Sequence, residues 1–237
     1  TILDVPIARM GMTEAIDFCK EANKRGPGGY FCFANVHTVV EARLSESVRS
    51  AMTSASLAFA DGVPLRWVAH LKGSPVQTRV SGPDFMDRFL REFPAYHHVL
   101  VGGAPGVAEN VARKYSLKAL CYSPPIRPFL KENVEKDLAA IQDISGSTRR
   151  MIWVGLGAPK QELWMQCASK LSPNDLFFGV GAAFDFLAGN KSRAPVWMQK
   201  TGLVWTFRLA QEPTRLAKRY LFTNAQFIYY LIRDALR

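Results

Sequence analysis

The sequence predicts an α/β fold: a Rossmann-like, mostly parallel sheet of about six strands with helices on both faces, plus a basic helical C-terminal appendage. Three observations lead there. Short apolar runs alternate with helix-forming stretches about six times along residues 1–190, the pattern of a parallel sheet covered on both sides. Glycines or small polar residues follow most of those runs, where a strand must turn into a helix. After residue 190 the composition changes, and cations and aromatics interleave. With 237 residues, 48% of them hydrophobic, the chain can build one substantial core. The organisation read from it is residues 1–190 as a catalytic-type domain and 191–237 as the appendage.

The elements follow in order. Thr13 is placed to N-cap a helix over Glu14–Asn23. The turn Gly26-Pro27-Gly28-Gly29 leads into a strand at Tyr30–Ala34, and one helix is expected to run on through Leu44 and Val48. Leu57–Ala60 is a short strand ending at Asp61-Gly62. Val99–Val101 centres another, followed by a glycine-rich turn at 102–106 and a helix over Val107–Tyr115. Leu117–Cys121 reads as a strand and Lys131–Asp143 as a helix with a solvated charged face. Met151–Val154 and Leu176–Val180 complete the strands.

The stretch Met151–Met165 is the most informative. An apolar run meets Gly155 and Gly157, Pro159 suits a first helical position, and Glu162 favours the helix dipole. The amides of Gly155, Gly157, Ala158 and their neighbours then lie between a strand's carboxyl end and a helix's amino end, where open α/β sheets bind anions. Lys160 and Gln161 are placed to touch such a ligand; a tight βα turn with no ligand fits equally well. Asn35, His37 and Thr38, then Asp61, then the turns Gly102–Gly106 and Gly181–Asp185 also fall just past strands, so all should converge on one cleft. Asp61 has no basic neighbour in sequence and can serve as a general base, although Asp-Gly is also a common turn. Asp185, between two phenylalanines, can equally brace the glycine loop beside it.

Charge and cysteine usage narrow the class. The net charge is +10, of which residues 191–237 hold +7, and this excess fits an anionic partner. The four cysteines and four histidines lack metal-like spacing, so buried thiols in a reducing compartment and no metal or cofactor are expected. No apolar run approaches the roughly 20 residues that span a bilayer, and the start shows no signal-peptide pattern. There is no Walker lysine-serine pair and no Gly-x-Gly-x-x-Gly, which weakens a nucleotide-dependent oxidoreductase. A non-catalytic nucleic-acid-binding α/β protein is the main rival class, since cations with aromatics can stack bases, but no recognised nucleic-acid module is present.

The order of several blocks is more specific than any one of them. ADGVP at 60–64, RVSGPD at 79–84, GLGAPKQE at 155–162 and GVGAAFD at 179–185 come first. RAP-x-WM from Arg193, GL-x-W from Gly202 and QEP-x-R from Gln211 close the series. Together they resemble the WecG/TagA/CpsF glycosyltransferase family from about Asn35 to the C-terminus. The resemblance implies an inverting transfer of a sugar from a UDP-sugar to a polyprenyl-diphosphate-linked saccharide, in bacterial cell-surface polysaccharide synthesis. It also implies a peripheral location on the cytoplasmic face of the inner membrane. By position, Asp61 matches the proposed catalytic base, Arg79 a pocket arginine, and Gly155–Glu162 the nucleotide-sugar loop. Arg215 and Arg219 match basic residues of an appendage that folds over the site toward the diphosphate. Phe33 stands where teichoic-acid members carry threonine, and Thr38 could substitute from another angle. The chain has no Asp-x-Asp, so arginines and loop amides are expected to stabilise the leaving UDP without metal. Leu221, Phe222, Phe227, Ile228, Tyr230, Leu231 and Ile232 could form an interfacial apolar face toward anionic lipid. N-acetylmannosamine, its uronic acid and glucose all suit the family, and oligomeric state is open, a homo-oligomer included.

Overall fold

The computed structural model describes residues 1–76, 78–142 and 149–236, with only the backbone of Arg215. Six strands form one sheet in the order β2-β1-β6-β5-β3-β4, and every neighbouring pair is parallel. The strands are β1 (Gly29–Ala34), β2 (Leu57–Ala60), β3 (His98–Gly102), β4 (Leu120–Tyr122), β5 (Met151–Gly155) and β6 (Leu176–Gly179). The helices before β5 are α1 (Met12–Arg25), α2 (Val36–Leu44), α3 (Glu46–Thr53), α4 (Val63–Leu71), α5 (Gly82–Glu92), α6 (Val107–Lys114) and α7 (Lys131–Ala140). After it come α8 (Lys160–Leu171), α9 (Ala183–Leu187), α10 (Val196–Thr201), α11 (Val204–Gln211) and α12 (Pro213–Ala235).

Strand alternation sorts the core onto two faces. On β1, Phe31 and Phe33 face one side while Cys32 and Ala34 face the other. The first side carries an aromatic stack, with Phe178 at 5.0 Å from Phe31, 4.7 Å from Trp153 and 5.7 Å from Phe85 between ring centroids. Helices α1, α5, α6 and α9 cover it. The second side, with smaller residues, receives α2, α3, α8 and, through Phe227, α12. Connections on the two sides run opposite ways. The β5-α8-β6 unit steps toward β1, whereas β3-α6-β4 steps toward the β4 edge. The sheet therefore has a switch point between β5 and β3, and a crevice opens beyond their carboxyl ends.

Several boundaries differ from the sequence reading for local reasons. Gly11, not Thr13, is the N-cap of α1. The helix expected through Leu44 and Val48 breaks at Ser45, whose backbone is extended, giving α2 and α3. β4 is only three residues long; it lies at the sheet edge, with one partner strand. β6 ends at Gly179, and α7 ends at Ala140, with Asp143 outside the described residues. On α12 the face expected to meet lipid is split. Phe227 is buried, and Tyr230 and Leu231 pack against the core, because that side of the helix lies on α2. Leu221, Phe222, Ile228, Tyr229 and Ile232 point outward. No helix among the described residues is long and apolar enough to cross a membrane.

Candidate active site

The site begins at the carboxyl ends of β1 and β2. Asn35 ends β1 and caps α2: its Oδ1 accepts the Thr38 amide at 3.2 Å, and Thr38 Oγ1 accepts the Asn35 amide at 2.9 Å. The Asp61 amide donates to the Ala34 carbonyl at 2.7 Å, which fixes the end of β2 against β1. The Asp61 side chain then stands where two cavities meet, one of about 320 Å³ and one of about 530 Å³. Burial pushes its carboxyl up to about 6; Asp84 adds to this, while Arg79, Arg208 and the Gly82 amide pull it down. It remains a carboxylate at neutral pH, with a proton affinity suited to a general base.

The smaller cavity occupies the crevice at the switch point. Gly103 lines it just past β3, Gly155 to Ala158 at the end of β5 and beyond it, and Gly181 just past β6. The strand ends are pressed together here: a Cβ on Gly102 would lie 2.6 Å from the Gly155 carbonyl oxygen. Gly157, at φ +77°, holds the left-handed turn that starts α8. The Gln161 side chain is buried behind the loop, its Nε2 donating to the Gly179 carbonyl at 3.0 Å and to Glu162 Oε1 at 2.9 Å. Gln161 Oε1 has no hydrogen-bond partner among the described residues and belongs to a residue lining the cavity.

Glu162 is 1% exposed, and burial pushes its carboxyl up to about 7 against the pull of Gln161 and Arg219. Between about pH 4.5 and 7 the folded state keeps a proton that the unfolded state has released. Stability therefore falls as pH rises through that window. Glu162→Gln should remove the fall. Its melting temperature should exceed that of the parent at pH 8 and converge with it near pH 5, the gap reaching on the order of 3 kcal/mol. A gap that does not change with pH would show that Glu162 ionises normally.

The cavities share Asn35, Asp61, Arg208 of α11 and Arg219 of α12. Lys191, also on the smaller cavity, bridges Asp185 at 3.3 Å and Glu212 at 2.7 Å. Arg79 borders the larger one, bonded to Asp84 at 2.7 Å and Gln199 at 3.2 Å. The rest of the larger cavity is an apolar groove between α4 on one wall and α11 and α12 on the other. His37 also lines it, held neutral because burial and Arg219 bring its imidazole down to about 4. Among the described residues no three His, Cys, Asp or Glu side chains group as metal ligands do.

Most residues singled out in the sequence come together here. Asn35, Thr38, Asp61, Gly155, Gly157, Ala158, Gln161, Asp185 and Arg219 line the smaller cavity, and His37 and Arg79 the groove. Three do not line either. Pro159 is the N-cap of α8 after a cis peptide, Glu162 is buried behind Gln161, and Lys160 turns away to donate to the Arg127 carbonyl at 2.7 Å. The Arg215 side chain lies outside the described residues. Gly181, expected at the cleft with Asp185, does line the smaller cavity, whereas Arg208 and Lys191 were not anticipated. No local signal distinguishes Arg208 from the other cations of the segment.

Comparison with known proteins gives a family and a relative. The sequence model of the glycosyl transferase WecG/TagA/CpsF family matches residues 1–237. A curated relative from Bacillus spizizenii, N-acetylglucosaminyldiphosphoundecaprenol N-acetyl-beta-D-mannosaminyltransferase, is 28% identical over 200 residues. The match covers 79% of this chain and 73% of that protein.

Proposed function

Because the chain belongs to the WecG/TagA/CpsF glycosyltransferase family, we propose that it transfers a sugar from a UDP-sugar, with inversion, to a polyprenyl-diphosphate-linked saccharide. By its name, the Bacillus relative uses an N-acetylglucosaminyl diphosphate lipid, and an acceptor ending in N-acetylglucosamine is the nearest reading for this chain. The carrying observation is that one carboxylate stands where two unlike cavities meet. The glycine-lined cavity presents loop amides and the amino end of α8, which suit a diphosphate. The groove gives a second reactant a separate way to Asp61.

In this reading Asp61 takes the proton from the acceptor hydroxyl as that oxygen bonds to the anomeric carbon. The bond from that carbon to the UDP oxygen breaks on the opposite face, which inverts the centre. The leaving diphosphate gains negative charge, and Arg208, Arg219 and the amides of 155–158 stabilise it. Residues 1–190 thus supply base and loop, and 191–237 act as the appendage that brings the cations. The outward apolar side chains of α12, with the net positive charge of the segment, suit peripheral contact with an anionic bilayer on the cytoplasmic face of the inner membrane.

The test is turnover. The protein should release UDP from at least one member of a UDP-sugar panel when given N-acetylglucosamine diphosphate on a short alkyl chain. The product, read by NMR, should have the anomeric configuration opposite to the donor's. UDP should also raise the melting temperature, while single-stranded oligonucleotides should not. No transfer from any donor, with stabilisation by oligonucleotide instead, would favour the nucleic-acid-binding class and overturn the proposal.

A further inference from the structure

The groove has a polarity gradient that a sugar alone does not explain. Where it meets the smaller cavity stand Asp61, Arg208 and Arg219, and Arg79 also borders it. The rest of its lining is mostly apolar, with buried Val63 and Val68 from α4 and Phe227 from α12, and half-buried Leu231. At the rim three large apolar side chains stay exposed: Trp67 at 59%, Leu71 at 84% and Ile228 at 57%. Along α12, Leu221 and Ile232 lie seven residues before and four after Ile228, so the helical period puts them on one stripe. Both are exposed. The apolar lining thus passes from the inside of the groove to the outer surface of the same helix.

Such a gradient matches one amphiphile: an anionic head among arginines, and a branched hydrocarbon that leaves along the apolar walls. We infer that the groove between α4 and α12 binds the first isoprene units of the lipid diphosphate and passes the remaining chain over the rim of Trp67, Leu71 and Ile228 toward the bilayer. This rests on the proposed transfer to a lipid-linked acceptor and deepens it. It assigns α4 a role in choosing the carrier lipid, separate from the chemistry at Asp61. An amphipathic peptide would fill the apolar walls but would leave the arginine end without a counter-charge, so the lipid diphosphate is the better occupant. The neutral His37 imidazole beside the arginines adds no fourth cation to be satisfied.

The groove can be examined by binding and by turnover. Farnesyl diphosphate should bind the unmodified protein at least tenfold more tightly than inorganic pyrophosphate, followed by calorimetry. The double variant Trp67→Ser with Ile228→Ser changes two exposed positions and should lose most of that preference. Trp67→Phe with Ile228→Leu should restore it. In turnover, the ratio of kcat/KM on a polyprenyl acceptor to that on a short alkyl acceptor should fall at least tenfold in the serine variant. Equal affinity of the parent for the two diphosphates, or a preference that survives the serine changes, would overturn the inference. If the parent turns over neither acceptor, the proposed transfer fails, while the farnesyl preference still judges the groove by itself.

Discussion

Asp61→Asn is expected to lower sugar transfer by about 10³-fold, the scale of a lost general base. The amide keeps the shape of the carboxylate but cannot accept the hydroxyl proton. The fold should survive at least as well as in the parent, because burial disfavours the charge being removed. UDP affinity should change little, since the glycine loop and α8 are untouched. The pH profile provides a second reading. With a carboxyl brought up to about 6, the parent's kcat/KM should fall tenfold per unit below that pH, and this limb should vanish in the residual activity of the variant. Turnover within a factor of ten of the parent would remove Asp61 from the role of base.

Asp137→Ala should be among the most destabilising single changes, by roughly 3–5 kcal/mol, because a buried carboxylate with several donors would leave them unpaired. Asp137 on α7 is 3% exposed. It accepts the Tyr122 hydroxyl of β4 at 2.9 Å, the Trp164 indole N–H of α8 at 3.0 Å, and the Arg127 guanidinium. One side chain thus holds an edge strand, a loop and the helix whose amino end frames the glycine loop. Denaturant titration should show a lower midpoint with an unchanged slope. A loss below about 1 kcal/mol would mean that water replaces the carboxylate without cost.

The parallel sheet was legible because buried strands are short apolar runs cut off by glycine or Asx, and Leu57–Ala60 before Asp61 is a clear instance. The same feature made Asp61 legible, since a polar residue just after such a run lies on the sheet's carboxyl edge. β4 was misplaced by its edge position, where half-buried residues carry a weaker pattern. α4 and α5 went unmarked because their sequences were read as motifs: Ser81 and Pro83, quoted in one, turn out to begin α5. Lys160 shows the limit of reading a site by proximity. It is next to the loop in sequence, yet its long side chain reaches a carbonyl elsewhere. The converse holds for Arg208. A run of cations states that a surface is basic, and only the packing of α11 and α12 around the cleft decides which of them turn inward.

The order in which the chain supplies these groups has a consequence for synthesis. The last strand of the sheet ends at Gly179, but Arg208 and Arg219 come from the final helices. Arg43 of α2 bonds both Asp4 and Asp234, the latter at 3.0 Å, so the last turn of α12 docks beside the segment that precedes α1. A growing chain can therefore close its sheet while the cleft still lacks the two arginines that border it. A chain interrupted before α11 would keep all six strands and the glycine loop but lack both arginines at the cleft.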